Sequence, residues 1–114
     1  RQHLPELMAG IIAIGERHQV SLPTVGHAGD GNMHPLLVFD GTDEAEVSRV
    51  RMAFAEIVRL ALSLGGTIAA EHGVGTLKRE FVSDELDPIQ LSMMEAVRSS
   101  LDPLHRFNPG KKLK

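Results

Sequence analysis

One nine-residue stretch, Gly26-His27-Ala28-Gly29-Asp30-Gly31-Asn32-Met33-His34, constrains the fold of this chain more than any other. Asp30-Gly31 is a strong hairpin signal, because both residues tolerate the backbone that a tight reversal demands. The chain must double back here, and doing so carries two histidines toward each other. Thr24 to His27 reads as the outgoing strand, residues 28–32 as the turn and His34 to Phe39 as the returning strand. Alternation puts His34, Leu36 and Val38 on one face and Pro35, Leu37 and Phe39 on the other. A proline at position 35 fits an edge position or a strand start.

Helical periods flank this hairpin. Leu4, Leu7, Ile11, Ile14 and His18 recur at spacings of three and four, which predicts a helix over 4–19 with Pro5 in its first turn. Gly10 and Gly15 each weaken that helix by about 1 kcal/mol relative to alanine. Asp43, with Glu46 three residues on, is a capping-box variant that opens a second helix. Its stripe is Val47, Val50, Phe54, Ile57, Ala61 and Leu64, and Gly65-Gly66 ends it. Thr67-Ile68-Ala69-Ala70 reads as a third strand, buried on both faces, that delivers Glu71-His72. Residues 76–82 form a helical turn or a loop. Asp87-Pro88-Ile89-Gln90 carries a cap, a first-turn proline and a capping-box glutamine. That last helix runs to about Leu101 with Met94, Val97 and Leu101 inward. Phe107-Asn108-Pro109-Gly110 is a turn, followed by the solvated tail Lys111-Lys112-Leu113-Lys114.

The order is helix, strand, strand, helix, strand, helix. A ferredoxin-like unit begins with one further strand. The expectation is an α+β fold: a partial ferredoxin-like cap, an antiparallel sheet with helices packed on one face. The chain opens on Arg1, close to a helix and without an initiator Met, so the reading is of a piece of something longer. An edge left open by a missing strand invites a homodimer.

Composition removes several classes of function. The formal net charge is −3 and the basic residues are dispersed apart from the tail, so no nucleic-acid surface is expected. The absence of cysteine excludes disulfides and thiolate metal sites. No apolar run approaches the roughly 18 to 20 residues that span a bilayer, and no signal peptide is visible. The expectation is a cytoplasmic protein, with peripheral attachment at the inner membrane face as the variant.

The histidines carry the chemistry. If residues 28–33 form the loop, His27 and His34 are cross-strand partners with Cβ atoms about 4.5 to 5.5 Å apart. Two imidazoles so placed can meet on one ion, and a carboxylate oxygen, best supplied by Glu71, completes a set that leaves positions open for substrate. Hydrogen bonding that merely stabilises the turn is the alternative for this pair. Consecutive strand residues face opposite ways, so Glu71 and His72 line one cavity only if the strand breaks, which Gly73 permits. His72 then stands beside the ion. An imidazole, with an ordinary pKa near 6.5, is a suitable general base there. His3, His18 and His105 read as surface polar residues. Gly73 and Gly75 resemble a phosphate loop, but no Gly-Lys-Ser/Thr follows.

Taken together, the nine-residue stretch, Glu71-His72-Gly73-Val74-Gly75 and Asn108-Pro109-Gly110-Lys111 resemble the C-terminal part of FAD-linked oxidases of the vanillyl-alcohol-oxidase type. That family includes the glycolate oxidase FAD subunit and the D-lactate dehydrogenases. The resemblance covers nearly the whole chain. It implies that residues 1–80 are the second half of a substrate cap and that residues 81–114 pack on an N-terminal FAD-binding domain. It also implies that His27, His34 and Glu71 bind a divalent metal such as Zn, Mn or Fe. His72 would take the proton of a small 2-hydroxy acid, Asn32 would lie by the substrate and Asn108 would approach the flavin. Members acting on 2-hydroxyglutarate carry an asparagine two places after the second metal histidine. Leu36 stands there, which implies a smaller or less polar substrate. On this reading the segment by itself is inactive and binds FAD poorly. Two rival readings are a metal-dependent hydrolase, in which the ion activates water and Glu71 or His72 is the base, and a non-catalytic metal-binding module.

Overall fold

A computed structural model describes residues 1–113. Lys114, the last residue of the expected basic tail, lies outside the described residues. The chain falls into two compact units, residues 1–66 and residues from Thr67 onward.

The first unit runs α1 (Leu4–His18), β1 (Thr24–His27), β2 (Asn32–Pro35) and α2 (Glu44–Ser63). Its core joins Ile11, Ile14 and Val20 to Val50, Ala53 and Ile57. Ile11 is 1% exposed, and burial of such a side chain contributes about 1.5–3 kcal/mol. At Gly10 α2 packs closely on α1: a Cβ there would lie 2.4 Å from Leu60 Cδ2. The space that weakens the isolated helix is thus filled by the neighbouring one.

Local chemistry sets the ends of α2. The Asp43 carboxylate accepts the N–H groups of Ala45 and Glu46. The expected reciprocal bond is not made, because Glu46 Oε2 accepts instead from the Asp40 N–H at 2.9 Å. At the other end Gly65 takes φ +74°. Gly66 N–H then reaches Ala61 O at 2.9 Å and Gly65 N–H reaches Leu62 O at 3.0 Å, the paired bonds of a Schellman ending.

The hairpin is antiparallel, with Thr24 opposite Pro35, Val25 opposite His34, Gly26 opposite Met33 and His27 opposite Asn32. The returning strand is therefore 32–35, earlier and shorter than the expected 34–39. The same register continues past the strand ends, where Leu36 N–H donates to Pro23 O at 2.8 Å and Val38 bridges Ser21. Hydrogen-bonded pairs alternate along such a ladder. Pro35 falls at a pair that needs no N–H, whereas Pro23 falls at one that does, and regular pairing stops there. Leu22 and Leu37, opposite each other in this register, pack on the helical core. The helices therefore cover one face of the hairpin, as expected. The other face carries Val25, His27, Asn32, His34, Leu36 and Val38, and its three aliphatic side chains are about half exposed.

The second unit departs further from expectation. Thr67–Ala70 forms no strand. Of these residues only Ile68 is buried, so the segment is not sandwiched on both faces. Its polar groups are met by side chains instead: Thr67 Oγ1 donates to Glu85 Oε1 at 2.5 Å, Ile68 N–H donates to Glu85 Oε2 at 2.9 Å, and Ile68 O accepts from Lys78 Nζ at 2.8 Å. A 3-10 turn, Arg79–Phe81, leads into the one-turn helix α3 (Val82–Glu85), and α4 spans Pro88–Leu101. The capping box of Asp87 and Gln90 is complete. The inward face expected of α4 is not formed, since Val97 is 61% and Leu101 76% exposed and only Met94 is half-buried. The stripe Ile89, Met93, Val97 and Leu101 is largely exposed.

The α+β class and the antiparallel pairing stand. Among the described residues no helix is long and apolar enough to cross a membrane.

Candidate metal centre

The hairpin turn is closed by backbone bonds and by one of its own side chains. Asp30 N–H and Gly31 N–H both donate to His27 O, at 3.1 and 2.9 Å. Asp30 Oδ1 in turn accepts the Asn32 N–H at 2.8 Å. Gly31 sits at φ +88°, a conformation costly for any residue with a Cβ. Arg1 Nη1 donates to Gly29 O at 3.0 Å, fastening the turn to the start of the chain.

This turn is two residues shorter than the sequence reading assumed. Met33 and Asn32 belong to the strand, so His27 faces Asn32 and His34 faces Val25. The two histidines are diagonal rather than direct partners. Paired residues share a face and alternate residues return to it, so His27, Asn32 and His34 still emerge on one side. The imidazole rings meet edge to face, with centroids 5.4 Å apart and planes at 88°. With a Zn–N bond of about 2.1 Å and a ring centre roughly 1.1 Å beyond the nitrogen, two imidazoles at a tetrahedral angle on one ion have centres about 5 Å apart. The observed pair meets that requirement. His27 is exposed and His34 half-buried, which leaves the pair open to solvent on one side.

Glu71 and His72 lie on the exposed turn after Ile68, in the second unit. Gly73 N–H closes this turn on Ala70 O at 2.9 Å. Gly73 and Gly75 both adopt positive φ, +66° and +58°. With no strand present, the rule that neighbours face opposite ways does not apply. Glu71 Oε1 comes within 3.6 Å of His72 Nε2, so the carboxylate and the imidazole share a side.

Asn108 stands at φ +45° in the turn of the tail, and its carbonyl accepts the Lys111 N–H at 3.1 Å. It lines a groove of about 890 Å³ with Met93, Val97, Phe107 and Lys111. The turn is held by Asp102, a buried carboxylate at the end of α4 that accepts the N–H groups of Arg106 and Phe107 at 2.9 and 2.8 Å. Those two bonds hold its carboxyl below the usual aspartate range.

Sequence reasoning missed Lys78, Arg79 and Glu85. Arg79 Nη1 donates to Gly110 O at 2.9 Å, and Lys112 N–H donates to Gly75 O at 2.8 Å. The glycine loop behind His72 is thereby tied to the turn holding Asn108. Burial lowers the pKa of Lys78. No periodic signal marks these side chains, because each bonds to a backbone group at least ten positions away.

Comparison with known proteins agrees with the motifs. The family described as FAD linked oxidases, C-terminal domain, matches residues 1–112. The chain is 40% identical over 111 residues to the glycolate oxidase subunit GlcD of Bacillus subtilis, covering 97% of this chain and 24% of that protein. It is 38% identical over 110 residues to the probable mitochondrial D-lactate dehydrogenase of Danio rerio, covering 96% and 22%. It is 34% identical over 113 residues to the glycolate oxidase subunit GlcD of Escherichia coli, covering 99% and 23%. The chain thus spans about a quarter of the length of the curated relatives it matches.

Proposed function

The chain belongs to the family of FAD linked oxidases, C-terminal domain, and from that premise we propose that it is the cap and tail portion of an FAD-dependent D-2-hydroxy-acid dehydrogenase. The substrate is a small hydroxy acid of the glycolate or D-lactate kind, which is oxidised to the 2-oxo acid. Residues 1–80 belong to the cap. Residues 81–114 pack against an FAD-binding domain, and the bare apolar stripe of α4 is what such a role requires.

His27, His34 and Glu71 hold a divalent ion. Their chemistry is that of two ring nitrogens and one carboxylate oxygen, a donor set suited to Zn, Mn or Fe that leaves coordination positions for a substrate. When bound, the ion would supply Lewis-acid polarisation of the substrate hydroxyl and the flavin a two-electron acceptor. The remaining work falls to this chain's own side chains. A ring nitrogen of His72 takes the hydroxyl proton. Asn32, on the face of the two metal histidines, offers an amide to the substrate. Asn108, in the groove of the tail, is directed to the flavin. Leu36, two residues beyond His34, presents no polar group to a longer substrate and so favours a short one.

The observation that carries this reading is the 5.4 Å edge-to-face pair of His27 and His34 on the hairpin face opposite Leu22 and Leu37. Its test is metal analysis of the purified full-length protein, paired with a panel of 2-hydroxy acids. One divalent ion per chain, and a flavin bleached by glycolate or D-lactate only while that ion is present, are expected. Full turnover by metal-free protein, or a flavin that no hydroxy acid reduces, would overturn it.

A further inference from the structure

Thr67–Ala70 leads straight into Glu71 and His72, yet among the described residues no neighbouring strand holds it. A lone irregular segment of this kind pays its own conformational entropy, roughly 1–2 kcal/mol per residue, and needs anchors to be presented in one geometry. The structure supplies two, both side chains reaching back from later in the chain. Glu85 receives Thr67 Oγ1 on one carboxylate oxygen and the Ile68 N–H on the other, at 2.5 and 2.9 Å. Lys78 Nζ donates to Ile68 O at 2.8 Å. Both backbone polar groups of Ile68, itself only 8% exposed, are therefore bound by charged side chains. A hydrogen bond to a charged partner is stronger than a neutral one, so this arrangement replaces the missing ladder at one residue.

We propose that Lys78 and Glu85 are positioning residues for the Glu71–His72 pair. They fix Ile68 from both sides, and the turn that follows carries the carboxylate and the imidazole in a defined place. The inference rests on the reading of Glu71 as a metal ligand and His72 as the base, and it adds the pair that orients them. Lys78 lies seven residues after Glu71 and Glu85 fourteen after it, on the far side of the glycine loop. The loop is closed by its own second tie, Lys112 N–H to Gly75 O. Neither positioning residue is required to touch substrate. Their removal should blur the turn while leaving helix α4, which is capped independently by Asp87 and Gln90, undisturbed.

The test uses the full-length protein with Lys78→Met, Lys78→Arg and Glu85→Gln. Amide hydrogen exchange is read at residues 68–73 and at α4, and Zn²⁺ affinity is read by competition with a chelator. In Lys78→Met we expect exchange at 68–73 to rise about ten-fold, exchange in α4 to stay unchanged, and Zn²⁺ affinity to fall about ten-fold, the usual range for losing a group that orients a metal ligand. Lys78→Arg restores a donor and should recover most of both. Glu85→Gln, which keeps an acceptor for one of the two bonds, should fall between. Unchanged exchange at 68–73 in Lys78→Met and Glu85→Gln overturns the proposal. So does faster exchange there with undiminished Zn²⁺ affinity, in a parent protein that binds Zn²⁺. A parent protein that binds no Zn²⁺ tells against the metal reading instead. Exchange at 68–73 and its rescue by Lys78→Arg then decide the positioning role alone.

Discussion

His18 Nε2 lies 2.7 Å from Glu56 Oε1, joining the last turn of α1 to the middle of α2. Arg17 Nη2 approaches the other carboxylate oxygen at 3.3 Å. The His18 hydrogen bond, and after it the Arg17 charge, lower the pKa of Glu56 below its ordinary 4.5. A carboxylate depressed by folding contributes stability above its unfolded pKa and loses it as pH falls through the folded value. The helix pair should therefore weaken as pH drops below about 4.5. Thermal melts across pH 3 to 7 are expected to show Glu56→Gln flattening this acid limb. An unchanged slope would show that other carboxylates set it.

Gly26 sits opposite Met33, and a Cβ placed on it would lie 2.7 Å from Asn32 O and 2.6 Å from Met33 Sδ. The thioether can swing away but the carbonyl belongs to the ladder. Gly26→Ala should therefore pry the hairpin apart beside His27 and cost roughly 1–3 kcal/mol, the range for overpacking. Denaturant titration reads the loss. A second expected effect is weaker metal binding, because the two imidazoles no longer share one geometry.

His34→Ala and His72→Ala should separate ligand from base. The first is expected to lose metal and activity together. The second should keep its metal and lose about 10²- to 10⁴-fold in turnover, the contribution of general-base catalysis. Metal content and kcat measured on the same full-length preparations check both. Full turnover in His72→Ala would remove that residue from the proton-transfer role.

Asp87 accepts the Gln90 N–H at 2.8 Å, and Gln90 Oε1 accepts the Asp87 N–H at 2.9 Å. Asp87→Ala removes the carboxylate that accepts the Gln90 N–H. It should destabilise α4 by about 1 kcal/mol, visible as faster amide exchange in the first turn of that helix.

The chain of residues 1–114 alone is expected to retain little flavin, because a bare helix stripe and one groove residue, Asn108, do not enclose an isoalloxazine ring. Reconstitution with FAD followed by gel filtration checks this. A flavin absorbance that co-elutes with the chain would contradict it.

Much of the fold was readable because it is set by short-range chemistry. The helix over 4–18 follows from its apolar spacing, and the ends of α2 follow from Asp43 and Gly65-Gly66. The hairpin follows from Asp30-Gly31, and the start of α4 from Asp87-Pro88-Ile89-Gln90. Each of these signals acts within about five residues, so the sequence carries it whole. His27, His34, Glu71 and His72 follow from donor chemistry and spacing, whereas Asn32 and Asn108 follow only from the family resemblance. Tertiary structure alone decided the register that makes His27 and His34 diagonal, since a turn shorter by two residues changes the direct partner while keeping the face. It also decided that Thr67–Ala70 stays unpaired, because a strand needs a neighbour and its Ile68 is instead held by Lys78 and Glu85. Those two bonds span ten and seventeen residues, and no local pattern encodes a partner at that distance. The bare face of α4 has the same origin: periodicity shows that a stripe is apolar, but what covers it is settled only by what packs there.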